Sequence, residues 1–86
     1  MAWQTSGQRT ASRVRTIGLG GLFVLTPQPP PVGSIVKLLF EVPGGDVRAR
    51  GVVRHCRPGE GMGIEFVMMG YEDRARLHRL LKRLLQ

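Results

Sequence analysis

Apart from arginine, few side chains in this 86-residue chain are able to do chemistry. Cys56 stands beside His55, a pairing that would suggest a thiolate and its base. Both fall in a stretch that reads as a β-strand, where consecutive side chains point to opposite faces, so the two cannot act together. The other histidine, His78, would have to arrive from a different element, and this scatter lacks metal-ligand spacing. Glu60, Glu65, Glu72 and Asp73 offer no defined carboxylate pair, and these residues predict no enzyme. Arginine is another matter: it supplies eleven of thirteen basic residues, against six acidic ones, for a net charge of +7. A guanidinium is a planar fork of donors that matches phosphates and guanine edges bidentately. The excess fits a protein that attracts anions, and fits equally an arginine-rich composition without functional meaning.

The second chemical signal is Thr16 to Val24, where Gly18, Gly20 and Gly21 lead directly into an apolar run. Glycine accepts positive φ and lets another backbone or a ligand come close. A phosphate-cradling loop would need these glycines between a strand and a helix N-terminus. Here they lead into Leu22, Phe23, Val24 and Leu25, which read as a strand, and no Gly-Lys-Ser/Thr follows. Nucleoside triphosphate and dinucleotide loops are therefore rejected, and the local reading is strand, glycine turn, strand.

The elements that position these residues must come from one small domain. A chain of this size buries only roughly 60 to 65 per cent of the surface its unfolded form exposes, which excludes a deep cleft between domains. A single cysteine makes no internal disulfide and fits a reducing compartment. No apolar run approaches the roughly 20 residues of a membrane span, and the N-terminus lacks the apolar core of a signal peptide. The expectation is a soluble, cytoplasmic protein.

Along the chain, residues 1–10 read as a flexible arm with an isolated Trp3, and Ala11 to Ile17 as a strand with imperfect alternation. Four prolines between Pro27 and Pro31 stiffen a connecting loop. Ser34 to Val42 puts Val36, Leu38, Phe40 and Val42 on one face. Pro43 to Asp46 turns the chain, and Val47 to Cys56 returns as a hairpin partner. Alternation there sets Val47, Ala49, Gly51, Val53 and His55 on one face, with Arg48, Arg50, Val52, Arg54 and Cys56 on the other. Met62 to Val67 follows as the last strand, with Ile64 and Phe66 inward. Glu72 to Gln86 carries Leu77, Leu80, Leu81, Leu84 and Leu85 at helical spacing, acidic at its start and basic at its end. That is about 22 Å of helix. Its leucine face is expected to pack on the sheet, a basic membrane-surface helix being the second reading.

In this order, Gly20-Gly21-Leu22-Phe23-Val24, Pro31-Val32-Gly33, Gly51-Val52-Val53 and Gly61-Met62-Gly63-Ile64-Glu65-Phe66 resemble the PilZ family of bacterial signalling domains. The resemblance covers residues 13 to 84 and implies a mainly β fold: a six-stranded, or five-stranded, antiparallel barrel with a C-terminal α-helix. It divides the chain into the arm, 1–10, and one PilZ-like domain, 11–86. It implies cyclic di-GMP as ligand, held by two motifs. One reads Asp or Asn, any residue, Ser, two residues, Gly; its places fall at Thr16, Gly18 and Gly21, of which only Gly21 matches. The other is two arginines four apart, a spacing found in Arg9 and Arg13, although these sit only a few residues before Thr16.

Arg9, Arg13, Arg15, Thr16, Gly18 and Gly21 are thus the candidate cyclic di-GMP-binding residues. Arg13, Arg15, Arg48, Arg50 and Arg54 are expected to form a basic patch that could rebuild the site. No other cofactor and no metal is expected. The departures at Thr16 and Gly18 point to a non-enzymatic signalling module with weak or lost nucleotide binding, acting as an adaptor for a protein partner. The alternative is a cyclic di-GMP sensor using Arg9, Arg13 and the Gly18 to Gly21 turn. No specific nucleic acid is expected, and nonspecific nucleic-acid binding, a third reading of the basic charge, is the weakest, because Phe23, Phe40 and Phe66 fall in core-like strand patterns rather than on an exposed stacking platform. Pairing of the leucine helix with a second copy stays open.

Overall fold

A computed structural model describes residues 1–84; Leu85 and Gln86, which the helical pattern included, lie outside the described residues. Seven strands precede one helix: β1 (Ala2–Gln4), β2 (Arg9–Ala11), β3 (Arg13–Ile17), β4 (Gly21–Leu25), β5 (Ile35–Val42), β6 (Gly45–Arg57), β7 (Gly61–Met69) and α1 (Tyr71–Leu84). They form one antiparallel sheet in the order β2-β1-β5-β6-β7-β4-β3. Its two edges, β2 and β3, are separated in sequence by Ser12 alone. The sheet therefore curls until its edges meet at that residue. The Met1 and Ser12 backbones hydrogen-bond there, Ser12 N–H donating to the Met1 carbonyl at 2.8 Å. Counted as one strand bent at Ser12, β2 and β3 give the six strands expected of a PilZ-like barrel.

The first ten residues differ from the flexible arm expected of them. β1 pairs with both β2 and β5, setting Trp3 opposite Thr10 and Leu38. The Trp3 side chain is 2% exposed, in the main core with Leu38, Val36 and Leu22. Its indole N–H donates to Ser12 Oγ at 2.9 Å, so the polar edge of the ring is satisfied where the barrel corner turns. A lone tryptophan in a polar stretch gives no periodic signal, yet it is large enough to anchor a short strand by itself.

The β5–β6 hairpin forms in the register from Ile35 opposite Val52 to Val42 opposite Gly45. Gly44 and Gly45 take φ of 96° and 141° in its turn, a region that residues with a Cβ rarely enter. Val36, Leu38 and Phe40 are buried as alternation requires, and Val42 is half-buried against them. On β6 the alternation fails. Val53 pairs with Ile64 and His55 with Gly63, leaving Arg54 as an extra, bulged residue. Beyond the bulge the faces exchange: His55, expected beside Val53 on the inner face, is exposed, and Cys56 turns partly inward, its Sγ 3.0 Å from the Pro30 carbonyl. A second bulge in β3 lies at Arg15, between the Val14–Val24 and Thr16–Phe23 pairs.

Helix α1 seals the barrel with Leu77, which is fully buried, and with half-buried Leu81. Its first turn is tied to β6, where Asp73 Oδ1 accepts the Arg48 backbone N–H at 2.9 Å. One turn later Arg76 Nη1 donates to the Asp46 carbonyl at 3.1 Å and holds the β5–β6 turn. Leu84 remains 63% exposed.

Candidate functional site

The Gly18–Gly21 turn connects β3 to β4 and is closed by the Gly18 N–H donating to the Gly21 carbonyl at 2.9 Å. None of Gly18, Gly20 and Gly21 has a positive φ. What Gly21 provides is closeness: a Cβ there would overlap the Ile64 carbonyl of β7, with which this strand pairs. The tight turn and the adjoining strands leave an open pocket of about 500 Å³, lined by Thr16, Gly18 and Gly21 together with Phe23, Arg54 and His55. The spacing of the sequence motif thus becomes one wall of a real concavity.

The electrostatics of this pocket are largely self-satisfied. Arg54, its one lining guanidinium, is aimed by the β6 bulge at Glu65, placing Nε 2.9 Å and Nη2 2.7 Å from the same carboxylate oxygen. Arg15, raised by the β3 bulge, donates through Nη1 to Glu60 Oε1 at 2.6 Å. Arg57 shares that carboxylate at 3.5 Å. Both guanidinium groups stand over the Phe23 ring, 5.9 Å and 5.7 Å from its centroid, and the His55 ring lies 5.8 Å from it. Phe23 was expected in the core. It sits instead on the outer side of β4, between inward-facing Leu22 and Val24, and is half-buried under these cations.

The other expected residues do not reach the pocket. Arg13 pairs with Leu25 at the far end of β3, five residues from Gly18 and so about 16 Å along an extended strand. Arg9 lies on β2, opposite Gln4, and lines a different groove with Lys37, Arg48 and Arg50. The single basic patch expected of the arginines is consequently divided: Arg15 and Arg54 flank the glycine turn in ion pairs, whereas Arg48 and Arg50 face elsewhere. Sequence reasoning missed Glu60, Glu65 and Arg57 as neighbours of the site. The β6 and β3 bulges that bring arginines toward them add one unpaired residue each, and a period-two reading carried straight through them places the later side chains on the wrong faces.

The family model for the PilZ domain matches residues 2–83, nearly the whole chain. The chain belongs to the PilZ domain family. No curated protein and no solved structure matches it. PilZ domains are cyclic di-GMP-binding modules, and the match takes in β1, so the Trp3 hairpin is part of the PilZ domain rather than a tail preceding it. Among the described residues no helix is long and apolar enough to cross a membrane.

Proposed function

We propose that this PilZ domain is a non-enzymatic adaptor with weak or lost cyclic di-GMP binding, which keeps the family barrel and uses its surface to engage a protein partner. The observation that carries the reading is the state of Arg54: the one guanidinium in the pocket of the glycine turn is held by Glu65, with Thr16 and Gly18 where a carboxylate or amide and a serine would contact the nucleotide. A bidentate guanine contact is worth about 1 to 3 kcal/mol, so losing two costs up to about 6 kcal/mol, and each 1.4 kcal/mol is about tenfold in affinity. Losses of that size carry a micromolar site into the millimolar range. Glu65 itself lines the pocket and adds a negative charge to it, which disfavours an anionic ligand there. The alternative sensor would need Arg9 and Arg13 beside Gly18 and Gly21, and the positions of β2 and β3 weigh against it.

Thermal unfolding with and without cyclic di-GMP tests the reading. Ligand at about 100 times its Kd stabilises the folded state by about 2.7 kcal/mol, which in a domain of this size raises Tm by more than about 10 °C. The adaptor should show no such shift at millimolar ligand. A rise of that size would make the domain a sensor.

A further inference from the structure

Away from the glycine turn, the pairing register lines up charged side chains from distant parts of the chain. Arg9 stands opposite Gln4, Gln4 opposite Lys37, Lys37 opposite Arg50, and Arg50 opposite Met68. Residues directly opposite one another share a face of the sheet. This row therefore crosses five strands on the outside of the barrel, all of it exposed. Arg48 extends it, two residues along β6 and opposite half-buried Leu39. Together they border a groove of about 640 Å³. Neighbouring strands lie about 4.8 Å apart, so Arg9, Lys37 and Arg50 spread over about 14 Å.

Among the described residues none of Arg9, Lys37, Arg48 and Arg50 takes part in an ion pair, although Arg15, Arg54, Arg57 and Arg76 all do. The one carboxylate of the groove, Asp73, is turned to the Arg48 backbone N–H. Lys37 and Arg50 directly opposite each other repel. The groove is not purely polar: Met68 is 63% exposed, and half-buried Leu39 lies on the same outer face opposite Arg48. Trp3 lines it too but is buried, so no exposed aromatic ring offers a base a stacking surface. A second copy of the chain, at +7, would bring the wrong charge.

We propose that this groove binds an acidic segment of a partner protein in which carboxylates alternate with apolar side chains, the carboxylates meeting Arg9, Lys37, Arg48 and Arg50 and the apolar groups covering Leu39 and Met68. The proposal rests on the adaptor reading and names the chemistry of its partner. Fluorescence anisotropy of a short labelled peptide of mixed Glu, Asp and Leu, at low salt, tests it. The peptide should bind the wild-type domain saturably and weaken about tenfold or more in Lys37→Glu/Arg50→Glu. Arg79→Glu/Arg83→Glu, an equal charge change on the exposed side of α1, should leave it unchanged. Circular dichroism confirms that both variants fold. Absence of binding, equal weakening in both variants, or tighter binding of a single-stranded oligonucleotide that Lys37→Glu/Arg50→Glu abolishes would each overturn the proposal. The cyclic di-GMP shift is read separately: a shift removes the adaptor reading while the peptide result still judges the groove, and a peptide failure without a shift removes only the groove.

Discussion

Arg54 and Glu65 face each other across the β6–β7 pairing, the guanidinium placing both Nε and Nη2 within 2.9 Å of one carboxylate oxygen. The contact exists because Arg54 is a bulged residue whose neighbours, Val53 and His55, take up the pairing with Ile64 and Gly63. Both side chains are more than a third exposed, so the pair contributes about 0.2 to 1 kcal/mol. Glu65→Gln should accordingly lower Tm by no more than a few degrees while releasing the Arg54 fork. In the same protein, cyclic di-GMP should bind measurably more tightly than in the wild type, read by titration calorimetry at low salt.

Gly21 is fixed by sterics rather than by backbone angle. A methyl group there meets the Ile64 carbonyl of the paired strand, a backbone atom that cannot turn aside. Overpacking of this kind costs about 1 to 3 kcal/mol, so Gly21→Ala should lower Tm by at least about 4 °C in thermal denaturation. Gly18→Ala, where a Cβ has open space and φ is not positive, should cost far less. Equal losses in the two variants would contradict the role given to Gly21.

Trp3 turns the first ten residues into part of the barrel. Trp3→Ala removes a buried indole from the core and should destabilise the fold by about 3 to 5 kcal/mol, a large share of what so small a domain possesses. Chemical denaturation followed by far-ultraviolet circular dichroism measures it. A loss below about 1 kcal/mol would restore the picture of a flexible arm.

These residues also mark where the sequence was readable. The β5–β6 hairpin and α1 were, because Val36, Leu38 and Phe40 alternate cleanly and Leu77 and Leu81 recur at helical spacing. The glycine motifs around Gly21 and Gly61 to Gly63 carried the family, since close strand approach limits the residues allowed there. Trp3 was not readable, because its strand and its near partner β2 are only three residues long each, and β5, which joins them to the sheet, lies more than thirty residues away. The facings of His55 and Cys56 were missed for another reason: a bulge shifts every later side chain to the opposite face without changing the composition. The groove of Arg9, Lys37 and Arg50 assembles from β2, β5 and β6, and only the register reveals it.

The cost of that basic row is measurable. Lys37 and Arg50 lie directly opposite, an arrangement that destabilises a sheet, whereas opposite charges there stabilise it by about 0.2 to 1 kcal/mol. Lys37→Glu should therefore raise Tm by a few degrees, more at low salt than at high salt as screening weakens the interaction. An unchanged or lower Tm at low salt would show that the two cations do not oppose each other.

The most direct measurement is calorimetric titration of cyclic di-GMP into the wild-type domain at low salt, beside a Thr16→Asp/Gly18→Ser/Glu65→Gln variant that restores the motif and frees Arg54. The account expects no saturable heat from the wild type up to millimolar concentration, and a measurable gain in the restored variant. Saturable micromolar binding by the wild type would contradict it and make this domain a cyclic di-GMP sensor.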